Sequence, residues 1–220
     1  MTTLVEAAQR LDRLGFMPSK AGNLSVRTAR GFTITPSGLA YDALTEGDLV
    51  KLDMSGERIG GHRNPSSEWR LHRAIYAARP EAMAIVHTHS PRATALACAR
   101  RDIPPFHYMI ALAGGSDIRC APYALFGTEA LAEAAVRALE GRRACLLANH
   151  GVVAIGQTLR EAETLAREVE NLAGMYLDML AARVEPVPLS EAELAEVRAQ
   201  FEGYGRRLGI GLAPRLLALR

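Results

Sequence analysis

The chain is poor in aromatic residues, lysine and cysteine, and it has no long apolar run. Lysine occurs only at Lys20 and Lys51, and every other basic side chain is arginine. A Schiff-base enzyme needs a desolvated lysine amine. Neither position promises one, since Lys20 precedes Gly22 in a loop and Lys51 sits in an alternating stretch near Asp53. The cysteines, Cys98, Cys120 and Cys145, are odd in number and lack C-x-x-C spacing. That pattern excludes a disulfide framework and a thiolate metal site, and the three read as small buried hydrophobes. The longest apolar stretches, "MIALAGG" and "ACLLA", are far shorter than the ~20 residues of a membrane span. With 26 basic and 24 acidic residues, a formal charge of +2 and no basic tract, nothing calls for nucleic acid. The opening "MTTLVEAAQRLDRLG" reads as an amphipathic helix rather than a targeting peptide, and the expected location is the cytoplasm.

What is present is an ordinary globular composition, 49% hydrophobic and 23% charged over 220 residues, with no break that would divide it. The expectation is one domain over residues 1–220. Apolar positions recur at helical spacing in residues 2–14, 67–78, 91–101, 128–140, 159–182 and 191–208. Thr158 with Glu161 and Ser190 with Glu193 fit the capping-box pattern. Between the helices lie β-rich runs at 23–27, 31–35, 48–52, 83–87, 144–148 and 151–155. The first two, and the last two, read as hairpins, the last turning through Asn149, His150 and Gly151, where glycine permits a positive φ. Hairpins mixed with helical crossovers, and helices on both faces, give a three-layer α/β/α domain.

"VHTHS" then stands out. His87 and His89 are two residues apart, so on an extended chain both side chains point to one face. His150 lies at another strand end. Three neutral imidazoles that leave a fourth position open are the ligand set of a catalytic zinc site. The remaining histidines, His62, His72 and His107, lack such placement, and His72, one turn beyond Glu68 on a helix, reads as solvent-facing or a local hydrogen-bond partner. The stretch "NPSSEWRLH" reads as a helix start, where free N–H groups and the hydroxyls of Ser66 and Ser67 could hold an anion. An ordinary serine cap accounts for it equally well. Glu68 follows in the first turn, where a carboxylate can serve as a general base or merely as a partner of the helix dipole. "AGNLSVR", with Gly22 and Asn23, and "TPSG", with Ser37 and Gly38, offer two further backbone turns.

Together, "AGNLSVR", "ITPSG", "NPSSEWRLH", "VHTHS", "HYMIALAGG" and "NHG" resemble the class II aldolase/adducin family, most closely its L-fuculose-1-phosphate aldolase branch, over roughly residues 5–208. The resemblance implies a largely antiparallel mixed sheet and a Zn²⁺ ion held by His87, His89 and His150. It also implies Glu68 as a further ligand that can swing away and act as the acid/base. The substrate phosphate would sit among Asn23, Ser37, Gly38, Ser66 and Ser67. Tyr108, contributed across a subunit boundary, and Tyr204, in a mobile C-terminal segment continuing through 205–220, would act near the aldehyde oxygen of a C4 homotetramer. Where the family often has threonine in its "TPTG" turn, this chain has Ser37, which keeps the hydroxyl. The implied activity is reversible cleavage of a ketose 1-phosphate to dihydroxyacetone phosphate and a small aldehyde. L-Fuculose, 5-deoxyribulose and 5-methylthioribulose 1-phosphates are the candidate substrates. A same-fold 4-epimerase is less favoured, because "IPPFHYMIALAGG" lacks the carboxylate those enzymes carry there. A dehydratase of the methylthioribulose-phosphate type would share the fold. A non-catalytic adducin-like scaffold would not be expected to keep a complete metal triad together with the acid/base glutamate.

Overall fold

A computed structural model describes residues 2–208, with side chains through Phe201. Helix α1 (Leu4–Arg13) opens on Thr3, whose hydroxyl and the Glu6 carboxylate form a reciprocal capping box. The chain then builds β1 (Asn23–Thr28), β2 (Gly31–Ile34), β3 (Val50–Asp53) and β4 (Arg58–Gly60). Helix α2 (Trp69–Ala78), β5 (Ala84–Thr88), α3 (Pro91–Cys98), β6 (Cys120–Ala121) and α4 (Glu129–Ala138) follow. The chain continues through β7 (Ala144–Leu147), β8 (Gly151–Gly156), α5 (Leu159–Ala181) and α6 (Glu191–Leu208). The strands form one sheet in the order β4-β3-β2-β1-β5-β8-β7-β6. Every pairing is antiparallel except β6 with β7.

Strand alternation sorts the core into two halves. Leu24, Ala84, Val86, Val152 and Ala154 pack with α1, α3 and α5, while Phe32, Ile85, Val153 and Ile155 pack with α2 and α4. Helices thus cover both faces of a sheet whose central strands are buried throughout, which is why those strands read as near-continuous apolar runs. The three-layer α/β/α expectation holds, as do both hairpins.

The differences are local. Strands β4 and β6 are edge strands of three and two residues, too short to impose a period on the sequence. β3 starts at Val50 rather than at residue 48, because Glu46–Asp48 form a 3₁₀ turn in which Asp48 accepts from the Thr45 N–H and hydroxyl. Cys98 is exposed and Cys120 half-buried, so the burial expected of all three cysteines holds only for Cys145. At the β7–β8 turn the positive φ belongs to Asn149, at 56°, and not to Gly151. The expected tail, residues 205–220, lies outside the described residues apart from the helical backbone of 205–208, and so does the Tyr204 side chain.

Candidate metal centre and active site

His87 is the penultimate residue of β5, on the face that Ile85 shares, toward α2, and His89 follows one residue beyond the strand. His150 sits in the turn from β7 to β8, and the pairing of His87 with Val153 and Thr88 with Val152 brings that turn against the end of β5. Glu68 is the N-cap residue of α2. One ligand atom from each of Glu68, His87, His89 and His150 lies within 4.8 Å of all the others.

The separations are informative. His87 Nε2 is 3.0 Å from Glu68 Oε2, His150 Nε2 is 3.3 Å from Glu68 Oε1, and His89 Nε2 is 3.1 Å from His87 Nε2. A tetrahedron of ligands about 2.0–2.1 Å from a zinc ion has edges of about 3.3 Å. His87 Nδ1 donates to the Val152 carbonyl at 2.8 Å, which fixes the ring with Nε2 aimed at the cluster, as a ligating imidazole is held. Among the described residues, Glu68 Oε1 is buried with no hydrogen-bond partner. Three imidazole nitrogens therefore converge on a buried carboxylate that needs a partner, and the four-atom ligand set fits a divalent cation.

The electrostatics agree. Burial pushes the Glu68 carboxyl up, but the neighbouring His87, His150 and the Asn23 amide more than offset this and hold it below the usual carboxylate range. Burial lowers His89 to about 3 and His150 to about 4, each further depressed by His87. For His87, burial is outweighed by the charge and hydrogen bond of Glu68, and its pKa is raised.

Gly151 makes the convergence possible. A Cβ there would collide with the Thr88 carbonyl oxygen and lie 3.1 Å from His89 Cδ2 and 3.2 Å from His87 Cε1. Only hydrogen fits between the strand end and the turn.

Glu68, His89 and His150 of the cluster form one wall of a cavity of about 340 Å³, with His87 buried behind them. The phosphate-suited turns meet there: Asn23, Ser37, Gly38, Ser66 and Ser67 all line it together with Glu68, His89 and His150. An isolated bridge between Pro36 and Pro65 ties the "TPSG" turn to the start of α2, with Ser37 N–H donating to the Asn64 carbonyl at 3.0 Å and Ser66 N–H to that of Thr35 at 3.1 Å. Gly38 there adopts a φ of 73°, the left-handed region that favours glycine.

Tyr108 is not among these residues. It starts a 3₁₀ turn (Tyr108–Ala113), is 50% exposed, and packs near Phe201. The sequence reading also missed three cavity-lining side chains, Lys20, Tyr123 and Phe126. Lys20 has a φ of 65°, and left-handed backbone at a non-glycine residue gives no sequence signal. His72 needs correction too: it is wholly buried, between Asn23 and Ser25, rather than solvent-facing. Burial pushes its pKa down to about 3, so the ring is neutral.

Comparison with known proteins bears on the same residues. The family model for the class II aldolase and adducin N-terminal domain matches residues 2–177. A 5-methylthioribulose-1-phosphate/5-deoxyribulose-1-phosphate aldolase of Rhodospirillum rubrum is 50% identical over 202 residues, covering 92% of this chain and 90% of its own. An L-fuculose phosphate aldolase of Escherichia coli is 47% identical over 206 residues, covering 93% and 95%. Among solved structures, an L-fuculose 1-phosphate aldolase superposes with a TM-score of 0.86 at 41% identity over 90% of this chain and 94% of its own. The resemblance first carried by six short motifs thus extends through the whole sheet and the elements that bring Glu68 and the three histidines together, and the chain belongs to the class II aldolase and adducin N-terminal domain family.

Proposed function

We propose that the protein is a metal-dependent aldolase that reversibly cleaves a ketose 1-phosphate to dihydroxyacetone phosphate and a small aldehyde, with zinc as the ion. The observation that carries this reading is that a three-imidazole, one-carboxylate cluster and a rim of serine and glycine turns share one cavity. A cation bound by His87, His89, His150 and Glu68 supplies Lewis-acid stabilisation of the negative charge that develops as the C3–C4 bond breaks. Ser37, Gly38, Ser66 and Ser67, with Asn23, hold the phosphate and so fix the reacting carbons relative to Glu68. In the synthetic direction Glu68, ionised at neutral pH, removes a proton from C3 of dihydroxyacetone phosphate, and in cleavage it returns that proton. Tyr108 protonates the new alkoxide in synthesis and takes the hydroxyl proton in cleavage. Its exposure outside the cavity lining of its own chain fits a role in a neighbouring subunit's site, as a homotetramer would provide, and Tyr204 would assist there.

L-Fuculose 1-phosphate is the first candidate substrate. A 5-deoxyribulose or 5-methylthioribulose 1-phosphate is the second, favoured by the Rhodospirillum relative at 50% identity. The test is dihydroxyacetone phosphate release from each of the three, with and without a chelator. Chelator-sensitive release is expected, and ranking by kcat/KM selects the substrate. A metal-loaded protein that releases nothing from any of them refutes the aldolase reading.

A further inference from the structure

One face of α2 and one face of β1 carry an unusual set of buried polar groups. On the helix, Glu68, His72 and Tyr76 are successive residues of an i, i+4 stripe. On the strand, Asn23, Ser25 and Arg27 alternate onto the α2 side while Leu24 faces the opposite core half. The two stripes meet in register. Ser25 Oγ lies 2.7 Å from Tyr76 Oη and 2.6 Å from His72 Nδ1. His72 Nε2 lies 2.5 Å from Asn23 Oδ1, and Asn23 Nδ2 donates to Glu68 Oε2 at 3.0 Å. The Arg27 guanidinium closes the far end, 4.7 Å above the Tyr76 ring and donating to the Tyr76 carbonyl at 2.6 Å.

The direction of every bond in this chain is determined. A carboxylate accepts only, so Asn23 must turn its N–H₂ to Glu68 and its carbonyl to His72. His72 Nε2 must then carry a proton. The ring is fully buried with no carboxylate against it, so it is neutral and Nδ1 is bare. Nδ1 accepts from the Ser25 hydroxyl, which has spent its one proton and accepts in turn from Tyr76. All the donors point toward Glu68. The apolar neighbours on the same helix, Leu71 and Ile75, show that this interior accepts hydrocarbon readily, so packing alone does not require an imidazole.

We propose that His72 is a positioning residue, the central member of a one-way relay Tyr76–Ser25–His72–Asn23 that presents an N–H to Glu68 Oε2. The relay prevents the Asn23 amide from flipping, which would set a carbonyl oxygen against the carboxylate. Fixed through Oε2, Glu68 turns its unpartnered Oε1 toward His150 and the cavity. The inference deepens the aldolase reading and rests on it only for the rate measurement.

Two measurements test it. In the metal-loaded wild-type protein with ¹⁵N-labelled histidine, a long-range ¹H–¹⁵N spectrum should show His72 as the Nε2–H tautomer alone. An Nδ1–H tautomer or a doubly protonated ring overturns the relay, whether or not any variant folds. In the aldol cleavage assay, His72→Leu should lose on the order of 10- to 100-fold in kcat, the range for residues that orient a ligating group, with a smaller rise in KM for the sugar phosphate through the loosened Asn23. His72→Gln, whose amide N–H can stand in for Nε2–H, should recover most of that loss. A folded His72→Leu variant with wild-type kcat, or equal losses in the two variants, refutes the positioning role. Absence of cleavage by the wild type would remove the enzymatic reading but leave the tautomer result standing on its own.

Discussion

Replacing Gly151 with alanine tests the site's construction without substituting a ligand. The added methyl overlaps the Thr88 carbonyl oxygen and presses on two imidazole carbons at 3.1 and 3.2 Å. Gly151 is not in the left-handed region, so the effect is steric and owes nothing to backbone strain. Thr88 is the last ladder partner of β5 on β8, so relief must come from separating the strand end that carries His87 and His89 from the turn that carries His150. Overpacking of this kind costs about 1–3 kcal/mol. Ligand positions matter to within about 0.2 Å, and a methyl seated this tightly demands more movement than that. The expected outcome is metal binding weakened on the order of 10- to 100-fold, about 1.4–2.8 kcal/mol at 1.4 kcal/mol per tenfold. The melting temperature should fall by about 2–4 °C for each kcal/mol lost. Competition with a chromophoric chelator measures the first, and thermal unfolding followed by circular dichroism the second. Gly47→Ala is the control, since a Cβ there meets nothing closer than the Thr45 hydroxyl at 3.8 Å. Wild-type metal affinity and stability in Gly151→Ala would refute the packing argument.

Glu68→Gln should keep its metal while turnover drops on the order of 10²-fold or more, as expected when a general acid/base is lost; near-normal activity removes Glu68 from that role. His89→Ala should lose metal and activity together, read by metal analysis and the cleavage assay, and full metal retention would mean the ligand set is wrong. Glu68 raises the pKa of His87 in the metal-free protein, so protons compete with a cation for that ring over a range extending above the ordinary histidine value. Metal affinity should therefore fall as pH is lowered through the neutral range, by up to about tenfold per unit for each proton displaced, and a pH-independent affinity contradicts this. Lys20→Ala should raise KM for the sugar phosphate with little change in kcat, because Lys20 lines the same cavity as the serine and glycine turns proposed to hold the phosphate; a fall in kcat alone would contradict it.

Much of this was legible in the sequence, for physical reasons that differ by element. The long helices announced themselves by period and cap: Glu193 N–H donates to the Ser190 hydroxyl at 3.2 Å and Ser190 N–H to the Glu193 carboxylate at 2.7 Å. β5 and β8, buried on both faces, could be read from their apolar runs alone. The spacing of His87 and His89 placed both on one face because the side-chain period of a strand is two. What spacing could not give was distance between segments. The approach of His150 depends on strand register and on the absent side chain of Gly151, and the burial of His72 depends on which strand lies across α2. A histidine one turn from a glutamate looks the same on a solvated helix as on a buried one. The two shortest strands and the left-handed Lys20 left no pattern to find, because edge pairing and single backbone torsions are decided by the fold around them.

The segment between β6 and α4 has a further consequence. Tyr123 and Phe126, 55% and 60% exposed, stand at the cavity wall, whereas Glu68 and His87 belong to elements anchored in the core. Substitutions at exposed positions away from special packing usually change stability by no more than about 0.5 kcal/mol. The protein therefore separates a fixed engine from an exchangeable mouth: the shape presented to an incoming molecule can be redrawn by a few surface changes while the reacting centre keeps its architecture. Two relatives named for different sugar phosphates, at 50% and 47% identity to this chain, are what such a division of labour permits.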